Sequence, residues 1–165
     1  MKLEVLCGMI GSGKSAYARK RADEGAIIVS HDDLTAMCHG RYRYEPELRA
    51  CYRRMQEEIA FCAMRCGRDV VVDRTQLTRE SRAWWLAFGR DATKYLGVDL
   101  RIVAVAFPVR EPWIHAGRRF DADPRGRPYD EWLKVAHHHA EQAAREPLSE
   151  DEGFDEIIRM EESPC

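Results

Sequence analysis

A glycine-rich segment near the start of the chain matches the pattern GxxxxGK[ST] and reads Gly8-Met9-Ile10-Gly11-Ser12-Gly13-Lys14-Ser15. Glycines let a backbone wrap closely around a polyphosphate, and a helix that begins at such a loop points its free N–H groups at the anion. The lysine of this pattern reaches the β- and γ-phosphates, and the serine hydroxyl can bind Mg²⁺. We therefore predict that all eight residues bind ATP or another nucleoside triphosphate, with Lys14 also catalytic and Ser15 a ligand of Mg²⁺.

The segments on either side of this loop support the same interpretation. Residues 3–6 form a short apolar run typical of a buried strand, and residues 16–22 have the pattern of a helix. Strand, loop and helix in this order is the context in which the motif binds phosphate. The alternative, a glycine-rich turn with an incidental lysine, leaves this order unexplained.

Strand and helix patterns alternate along the whole chain. Strands are predicted at 3–6, 26–29, 69–73, 100–107 and within 152–160, and helices at 16–22, 45–66, 78–95, 112–119 and 129–145. This alternation predicts an α/β fold in which helices cover both faces of a parallel sheet. A length of 165 residues fits one core, so we predict a single domain over 1–165.

The composition and charge limit the location and the partners that we expect for this chain. Hydrophobic residues make up 45% and charged residues 33%, which is typical of a soluble globular protein. No apolar run approaches the roughly 18 residues of a membrane span, and the first strand is too short for a secretory signal. The six cysteines are scattered, so we expect free thiols, a cytoplasmic location and no membrane partner. The net charge of -2 argues against broad, unselective nucleic-acid binding, which needs many phosphate contacts.

Two other clusters raise the possibility of a metal site. Cys62 and Cys66 lie one helical turn apart, and His137-His138-His139 is a run within a predicted helix. The cysteines lack a CxxC or Cys/His pair beside them. Consecutive helical residues point about 100° apart, so only one or two of the histidines can face a common site. We expect buried free thiols and a solvated helix face.

Polar side chains follow the second and third predicted strands, where ligands of parallel sheets bind. Asp32-Asp33 follows the second strand, and Asp73 ends the third. Transfer of a phosphoryl group to an alcohol needs a base near the attacking hydroxyl, and Asp32 fits that role. Asp73 fits the acid that holds Mg²⁺ beside the phosphates. The alternatives are that Asp32 and Asp33 cap a helix and that Asp73 only binds backbone.

Two further segments are candidates for binding the acceptor. Arg74, Thr75 and Gln76 follow Asp73, and they contact phosphate or acceptor unless they only fix the turn before the next helix. The run Arg41-Tyr42-Arg43-Tyr44 could hold backbone phosphate and stack a base, with Arg41 and Arg43 as its cations. A solvated loop is the alternative for that run.

An arginine-rich, Gly/Pro-punctuated stretch lies between the last two helices. It contains Arg110, Arg118, Arg119, Arg125 and Arg127. We predict a helical lid at approximately 112–130 that brings guanidinium groups, including Arg118 and Arg119, to the nucleotide phosphates. The alternative is an ordinary solvated charge run.

The ordered motifs resemble a known family. They are GxxGSGKS after the first strand, Ser-x-Asp-Asp after the second, Val-Val-Val-Asp-x-Thr-x-Leu-Thr-x-x-x-Arg after the third, an Arg-Gly lid and Glu-Gly-Phe-Asp-Glu before the last. The chain resembles P-loop kinases of the phage polynucleotide 5′-kinase group, an AAA_33 and zeta-toxin-like branch of single-domain kinases. The resemblance implies a P-loop NTPase-type three-layer sandwich with a five-stranded parallel sheet, in which the P-loop strand neighbours the Asp73 strand. It also implies that Asp32 activates the acceptor and that Arg125, before Gly126, is the catalytic lid arginine.

Two positions depart from the family pattern and concern the acceptor. Thr35 stands where the polynucleotide kinases place an arginine for the acceptor phosphate, and Gln76 stands where asparagine is usual. We predict an ATP-dependent phosphotransferase acting on the 5′-hydroxyl of RNA or DNA, with that nucleic-acid end as its partner. A metabolite or antibiotic kinase is the first alternative, favoured by Thr35 and the acidic net charge. An NTP-binding switch module without transferase activity is the second.

Overall fold

Five short strands form one parallel sheet at the centre of the computed structural model, which describes residues 1–123 and 126–161. The strands are β1 (Lys2–Cys7), β2 (Ile27–Ser30), β3 (Val70–Asp73), β4 (Arg101–Ala106) and β5 (Glu156–Arg159). Their spatial order is β2-β3-β1-β4-β5, with every neighbouring pair parallel. The P-loop strand β1 therefore lies beside β3, which ends in Asp73. This confirms the predicted sheet and the predicted neighbours.

Six α-helices in the described part of the chain flank the sheet. They are α1 (Lys14–Asp23), α2 (His31–His39), α3 (Arg49–Arg65), α4 (Arg79–Leu96), α5 (Pro112–Asp121) and α6 (Tyr129–Arg145), with 3-10 turns at Pro46–Leu48 and Glu150–Glu152. Nearly every residue of the central strands is buried, as expected when helices cover both faces of a parallel sheet. One apolar layer holds Trp85 of α4 and Met64 of α3, and the other holds Ala18 of α1. No described helix is long and apolar enough to cross a membrane.

Helix α2 is the one helix that sequence periodicity did not predict. Only Leu34 and Thr35 are buried in its nine residues, so no apolar stripe marks it. Ser30 begins the helix, because its hydroxyl accepts a hydrogen bond from the Asp33 N–H at 3.2 Å. Asp32 and Asp33 therefore lie in the first turn, and the interpretation of either as the helix cap is wrong.

A buried ion pair fixes the loop after β3 to the segment before β5. Arg82 and Glu152 both have side chains that are 2% exposed, and two hydrogen bonds of 2.6 and 2.7 Å join them. The same guanidinium donates to the carbonyls of Leu77 at 2.9 Å and Glu146 at 3.0 Å. Because it binds both segments, Arg82 holds the carboxyl end of β3 in a fixed position.

The last two helices form a hairpin against the P-loop. Met9 of the loop is fully buried in a small apolar cluster with Ala116 of α5 and Trp132 and Ala136 of α6. The predicted lid at 112–130 corresponds to α5, the connection and the first turn of α6. Of the predicted lid arginines, Arg125 lies outside the described residues.

Candidate active site

The P-loop backbone adopts the open conformation that its glycines allow. Gly11 and Gly13 have φ values of +60° and +96°, in the left-handed region that disfavours side chains. A Cβ on Gly11 would lie 2.5 Å from the carbonyl oxygen of His115, so a larger residue does not fit there. The Gly8 N–H donates to the Thr75 carbonyl at 2.9 Å, which joins the loop to the end of β3. Gly13 then begins α1, so the first N–H groups of that helix face the loop.

Lys14 is a buried cation inside this loop. Its side chain is 7% exposed, and its Nζ donates to the Met9 carbonyl at 2.5 Å and to Ser12 Oγ at 3.4 Å. Burial lowers the pKa of Lys14 to about 8, and the nearby Asp73 carboxylate acts in the opposite direction. An anion bound in the loop would favour the charged ammonium, because an opposite charge nearby stabilises it.

Asp73 and Ser15 lie side by side at the start of α1. Burial raises the pKa of Asp73, while a hydrogen bond from Ser15 and the charge of Lys14 oppose that rise. In the described chain no group of three or more His, Cys, Asp or Glu side chains could hold a metal ion alone. Two protein oxygens beside a phosphate loop fit Mg²⁺, which is usually held by one or two protein ligands together with phosphates and water.

Asp32 faces the same space from the carboxyl end of β2. Its Oδ2 lies 3.8 Å from Nη2 of Arg119 on α5, and its carboxylate is half exposed. Its charge also raises the pKa values of Lys14 and Asp73. The structure thus brings together the predicted base, the loop lysine, the predicted metal ligand and one lid arginine.

The lid arginines are held by stacking and line a cleft. Arg119 and Arg127 lie over the ring of Trp132, at 4.8 and 5.3 Å from its centroid. Arg118 lines a cleft of about 380 Å³ that runs from the P-loop to the residues after β4, and the other lining side chains include Ser12, Tyr17, Phe107 and Arg110. This cleft adjoins the amino end of α1 and is open to a nucleoside attached to phosphates in the loop.

Two histidines of the hairpin formed by α5 and α6, the buried His115 and the half-buried His139, lie against the P-loop, and sequence reasoning missed both. His139 Nδ1 accepts a hydrogen bond from the Ile10 N–H at 3.3 Å. His115 is 1% exposed, and its Nε2 accepts from the Arg110 N–H at 3.0 Å. Burial lowers the pKa of both rings, in His139 to about 4. The three-histidine run was the only sequence signal for His139, and His115 had none.

Basic and aromatic side chains lie close to one another near Asp32, whose charge acts on Arg74 and His31. Burial lowers the pKa of Arg74, as do the charges of Arg49 and Arg53, whereas Tyr44 and Asp32 raise it. The His31 ring lies 5.5 Å from the ring of Tyr44 and 5.9 Å from that of Tyr52. Burial lowers the pKa of His31 to about 4, so the ring is neutral near pH 7. We name Arg49, Arg53, Arg74, His31, Tyr44 and Tyr52 the acceptor-side cluster.

The remaining predicted acceptor residues occupy different places. Arg41 is exposed, and Arg43 pairs with Glu45 at 2.8 Å while 61% of its side chain is exposed. Thr75 contributes its backbone carbonyl to the P-loop. Gln76 is 3% exposed, with its amide within 2.8 Å of Trp85 Nε1 and 3.1 Å of Ser81 Oγ. The structure therefore places Gln76 in the interior, with its amide against α4.

Thr35, the other position that departs from the family pattern, is also internal. Its side chain is fully buried, and its hydroxyl donates to the Asp32 carbonyl at 2.9 Å. It steadies the first turn of α2, which carries Asp32.

These features define the class of the protein. A P-loop after β1, a carboxylate after β2, another at the end of β3 and an arginine-bearing helical hairpin together make a P-loop kinase-type enzyme. The chain belongs to the AAA_33 family of AAA domains, whose model matches residues 3–116. P-loop kinases of this kind bind nucleotide.

Several solved structures share the fold. A chain of the Pnkp1/Rnl/Hen1 RNA repair complex has a TM-score of 0.69 at 22% identity, over 87% of this chain and 44% of that one, so this chain spans less than half of its length. A sugar kinase from Janibacter sp. HTCC2649 has a TM-score of 0.57 at 18% identity, over 97% and 84% of the two chains. The APS kinase CysC of Mycobacterium tuberculosis has a TM-score of 0.52 at 22% identity, over 98% and 90%. No curated protein matches the sequence.

Proposed function

We propose that this enzyme transfers the γ-phosphate of ATP to the 5′-hydroxyl of RNA or DNA. The observation that carries the proposal is the meeting of Asp32 and Arg119 at 3.8 Å, between the P-loop and the acceptor-side cluster. This arrangement puts a carboxylate for the hydroxyl proton and a cation for the transferred phosphate in one place. The ATP site and the free thiols also fit a cytoplasmic enzyme. Four of the five cysteines in the described residues are exposed, so the expectation of buried thiols is wrong.

The P-loop binds the triphosphate in this proposal. The N–H groups of Gly11 to Ser15 and the ammonium of Lys14 contact phosphate oxygens, and the nucleoside extends into the cleft beside Arg118. Ser15 and Asp73 would hold Mg²⁺, which neutralises phosphate charge when bound. The raised pKa of Asp73 agrees with a carboxylate that gains stability from a neighbouring cation.

The transfer itself uses Asp32 and the lid. Asp32 accepts the proton of the acceptor hydroxyl as its oxygen attacks the γ-phosphorus, the bond to the β,γ-bridging oxygen breaks, and ADP leaves. Arg119 lies within reach of the charge that develops on the γ-oxygens, and its stacking on Trp132 limits the positions open to its guanidinium. Arg125 stays a candidate for the same task.

The acceptor-side cluster supports a nucleic-acid end as the substrate. Arg74, Arg49 and Arg53 lie close enough together to lower the pKa of Arg74, which is favourable for binding a phosphate of the acceptor strand. The rings of His31 and Tyr44 offer faces on which a base can stack. Arg41 and Arg43 would extend this positive surface along the strand.

A small-molecule acceptor is the second candidate, and Thr35 favours it. The buried Thr35 hydroxyl binds backbone, so no cation follows Asp32 at that position. The acceptor would then be a small anion held by Arg74 rather than a strand. The fold is shared with a chain of the RNA repair complex and also with a sugar kinase and an APS kinase, so the fold alone does not choose between the two acceptors.

Labelled ATP distinguishes these functions. The protein with γ-labelled ATP and Mg²⁺ is offered 5′-hydroxyl oligonucleotides, the same oligonucleotides with 5′-phosphate, and a panel of metabolites. We expect label only on the 5′-hydroxyl oligonucleotides. Label on a metabolite would establish the second candidate, and release of free phosphate alone would indicate an NTP-binding switch.

The base assignment has its own test. Asp32→Ala should lower the transfer rate by about 10²- to 10⁴-fold, the range for loss of a general base, while ATP affinity measured by calorimetry stays near the original value. Asp33→Ala is the matched control, since it removes the neighbouring carboxylate of the same exposed turn. Near-normal transfer by the Asp32 variant would show that another group takes the proton.

A further inference from the structure

We propose that His139 is a positioning residue that joins helix α6 to the P-loop. Of the three consecutive histidines, His137 and His138 are exposed, whereas His139 turns inward. Its Nδ1 accepts the N–H of Ile10 at 3.3 Å, across 129 residues of sequence. A run that the sequence marks as a solvated face thus contributes one side chain to the nucleotide site.

The chemistry of the ring suits an acceptor. An imidazole nitrogen accepts a hydrogen bond only when it carries no proton, and the geometry here makes Nδ1 the acceptor and leaves the proton on Nε2. Burial opposes a charge on His139, and so do the charges of Lys14, His138 and His115 nearby. The neutral ring is therefore the stable form beside the loop lysine.

The two residues that flank Ile10 are held by the same hairpin. Met9 is fully buried against Ala116 and Trp132, and Gly11 packs directly on the carbonyl of His115. Three successive loop residues therefore rest on α5 and α6, by apolar packing, a hydrogen bond and close backbone contact in turn. The hydrogen bond to His139 holds the N–H side of the Met9–Ile10 peptide, whose carbonyl side accepts a hydrogen bond from Lys14 Nζ.

This role deepens the proposed function, on whose ATP site it rests, and it is independent of the acceptor. A loop whose peptides are already oriented loses less conformational entropy when its amides take up a triphosphate.

The test compares three substitutions of His139 with one substitution of the exposed His137. His139→Asn keeps an acceptor close to the place of Nδ1, His139→Phe removes it while keeping a ring, and His139→Gln moves it outward. His137→Phe is the matched control. Amide hydrogen exchange of Ile10 is measured without nucleotide, and affinity for ATP with Mg²⁺ is measured by calorimetry.

We expect exchange at Ile10 about fivefold faster, and an ATP Kd about fivefold higher, in His139→Phe and His139→Gln, in line with the loss of one hydrogen bond. His139→Asn and His137→Phe should stay within about twofold of the original protein in both measurements. If His139→Phe does not fold, the Asn and Gln variants still give the comparison, because both are polar and differ in where the acceptor lies.

Two failures are distinguishable. Unchanged Ile10 exchange in the Phe or Gln variant, or equal damage in the Asn variant, would overturn the positioning role. Absence of ATP binding by the unsubstituted protein would overturn the proposed function, while the exchange pattern would still decide whether His139 orders the loop.

Discussion

Arg82 and Lys14 are both buried cations, and the protein surrounds them differently. Arg82 meets a carboxylate that is as buried as itself, together with carbonyls of the segments 76–77 and 146–147. Lys14 meets one carbonyl and one hydroxyl, and burial lowers its pKa to about 8. The nearby carboxylate of Asp73 accepts its hydrogen bond from Ser15.

Arg82 is therefore a cation that stabilises the fold, whereas Lys14 is a cation placed to interact with a ligand. The Arg82 guanidinium joins the nearby carbonyls of 76–77 to the distant segments 146–147 and Glu152, so the cation stabilises the position of the loop after β3. Among the described residues, Lys14 donates hydrogen bonds only within its own loop, and its lowered pKa shows a cation whose charged form gains from an added anion. Substitution of Arg82 should therefore mainly lower stability, and substitution of Lys14 should mainly lower activity.

The largest effect on stability is expected at Arg82. Arg82→Met leaves Glu152 buried without its partner, which typically lowers the free energy of unfolding by about 3–5 kcal/mol. Urea denaturation followed by circular dichroism measures this loss. ATP affinity of the fraction that remains folded should change little, because Arg82 does not line the nucleotide site.

The double variant Arg82→Met with Glu152→Leu sharpens the test. Replacing both charges with apolar side chains removes the unpaired carboxylate, so most of the lost stability should return. A single variant that loses less than about 1 kcal/mol would show that Glu152 finds water or another partner and that the pair is not a structural lock.

The opposite pattern is expected at Lys14. Lys14→Met should lower phosphoryl transfer by about 10²- to 10³-fold, the range for one lost electrostatic contact to the reacting group. The free energy of unfolding should fall by no more than about 1 kcal/mol, because a desolvated charge is removed at the same time. Transfer of label from ATP and urea denaturation measure the two quantities. Lys94→Met, an exposed lysine of α4, is the control, and a loss of stability equal to that of Arg82→Met would erase the contrast.

Local patterns made the centre of the site predictable from sequence. The P-loop is a continuous motif, and Asp73 ends an apolar run, so chain position and the edge of the sheet sufficed to predict that the two lie close together. Asp32 was placed by the same rule, although helix α2 was not predicted. Its apolar residues are too few to show a period, and its first turn depends on the Ser30 hydroxyl.

Contacts between distant segments could not be predicted. Arg82 and Glu152 were parts of two recognised motifs, yet nothing in either motif says that they form one ion pair. His139 reaches Ile10 only because α5 and α6 fold back onto the loop. Gln76 could have faced the acceptor or the turn, and a backbone with φ of +43° directs its side chain inward.

The smallest expected effect is the uptake of a proton by the protein when ATP binds. With a pKa of about 8, Lys14 is mostly uncharged at pH 8.5, and bound phosphate raises that pKa again. Binding at pH 8.5 should take up about 0.7 proton, against about 0.1 at pH 7, and ATP affinity should fall as pH rises above 8. Calorimetry in two buffers of different ionisation enthalpy measures the uptake. Lys14→Arg is the control, since guanidinium stays charged throughout this range and binds ATP without uptake. Equal uptake by both proteins would mean that another group takes up the proton and that burial does not deprotonate Lys14 in this pH range.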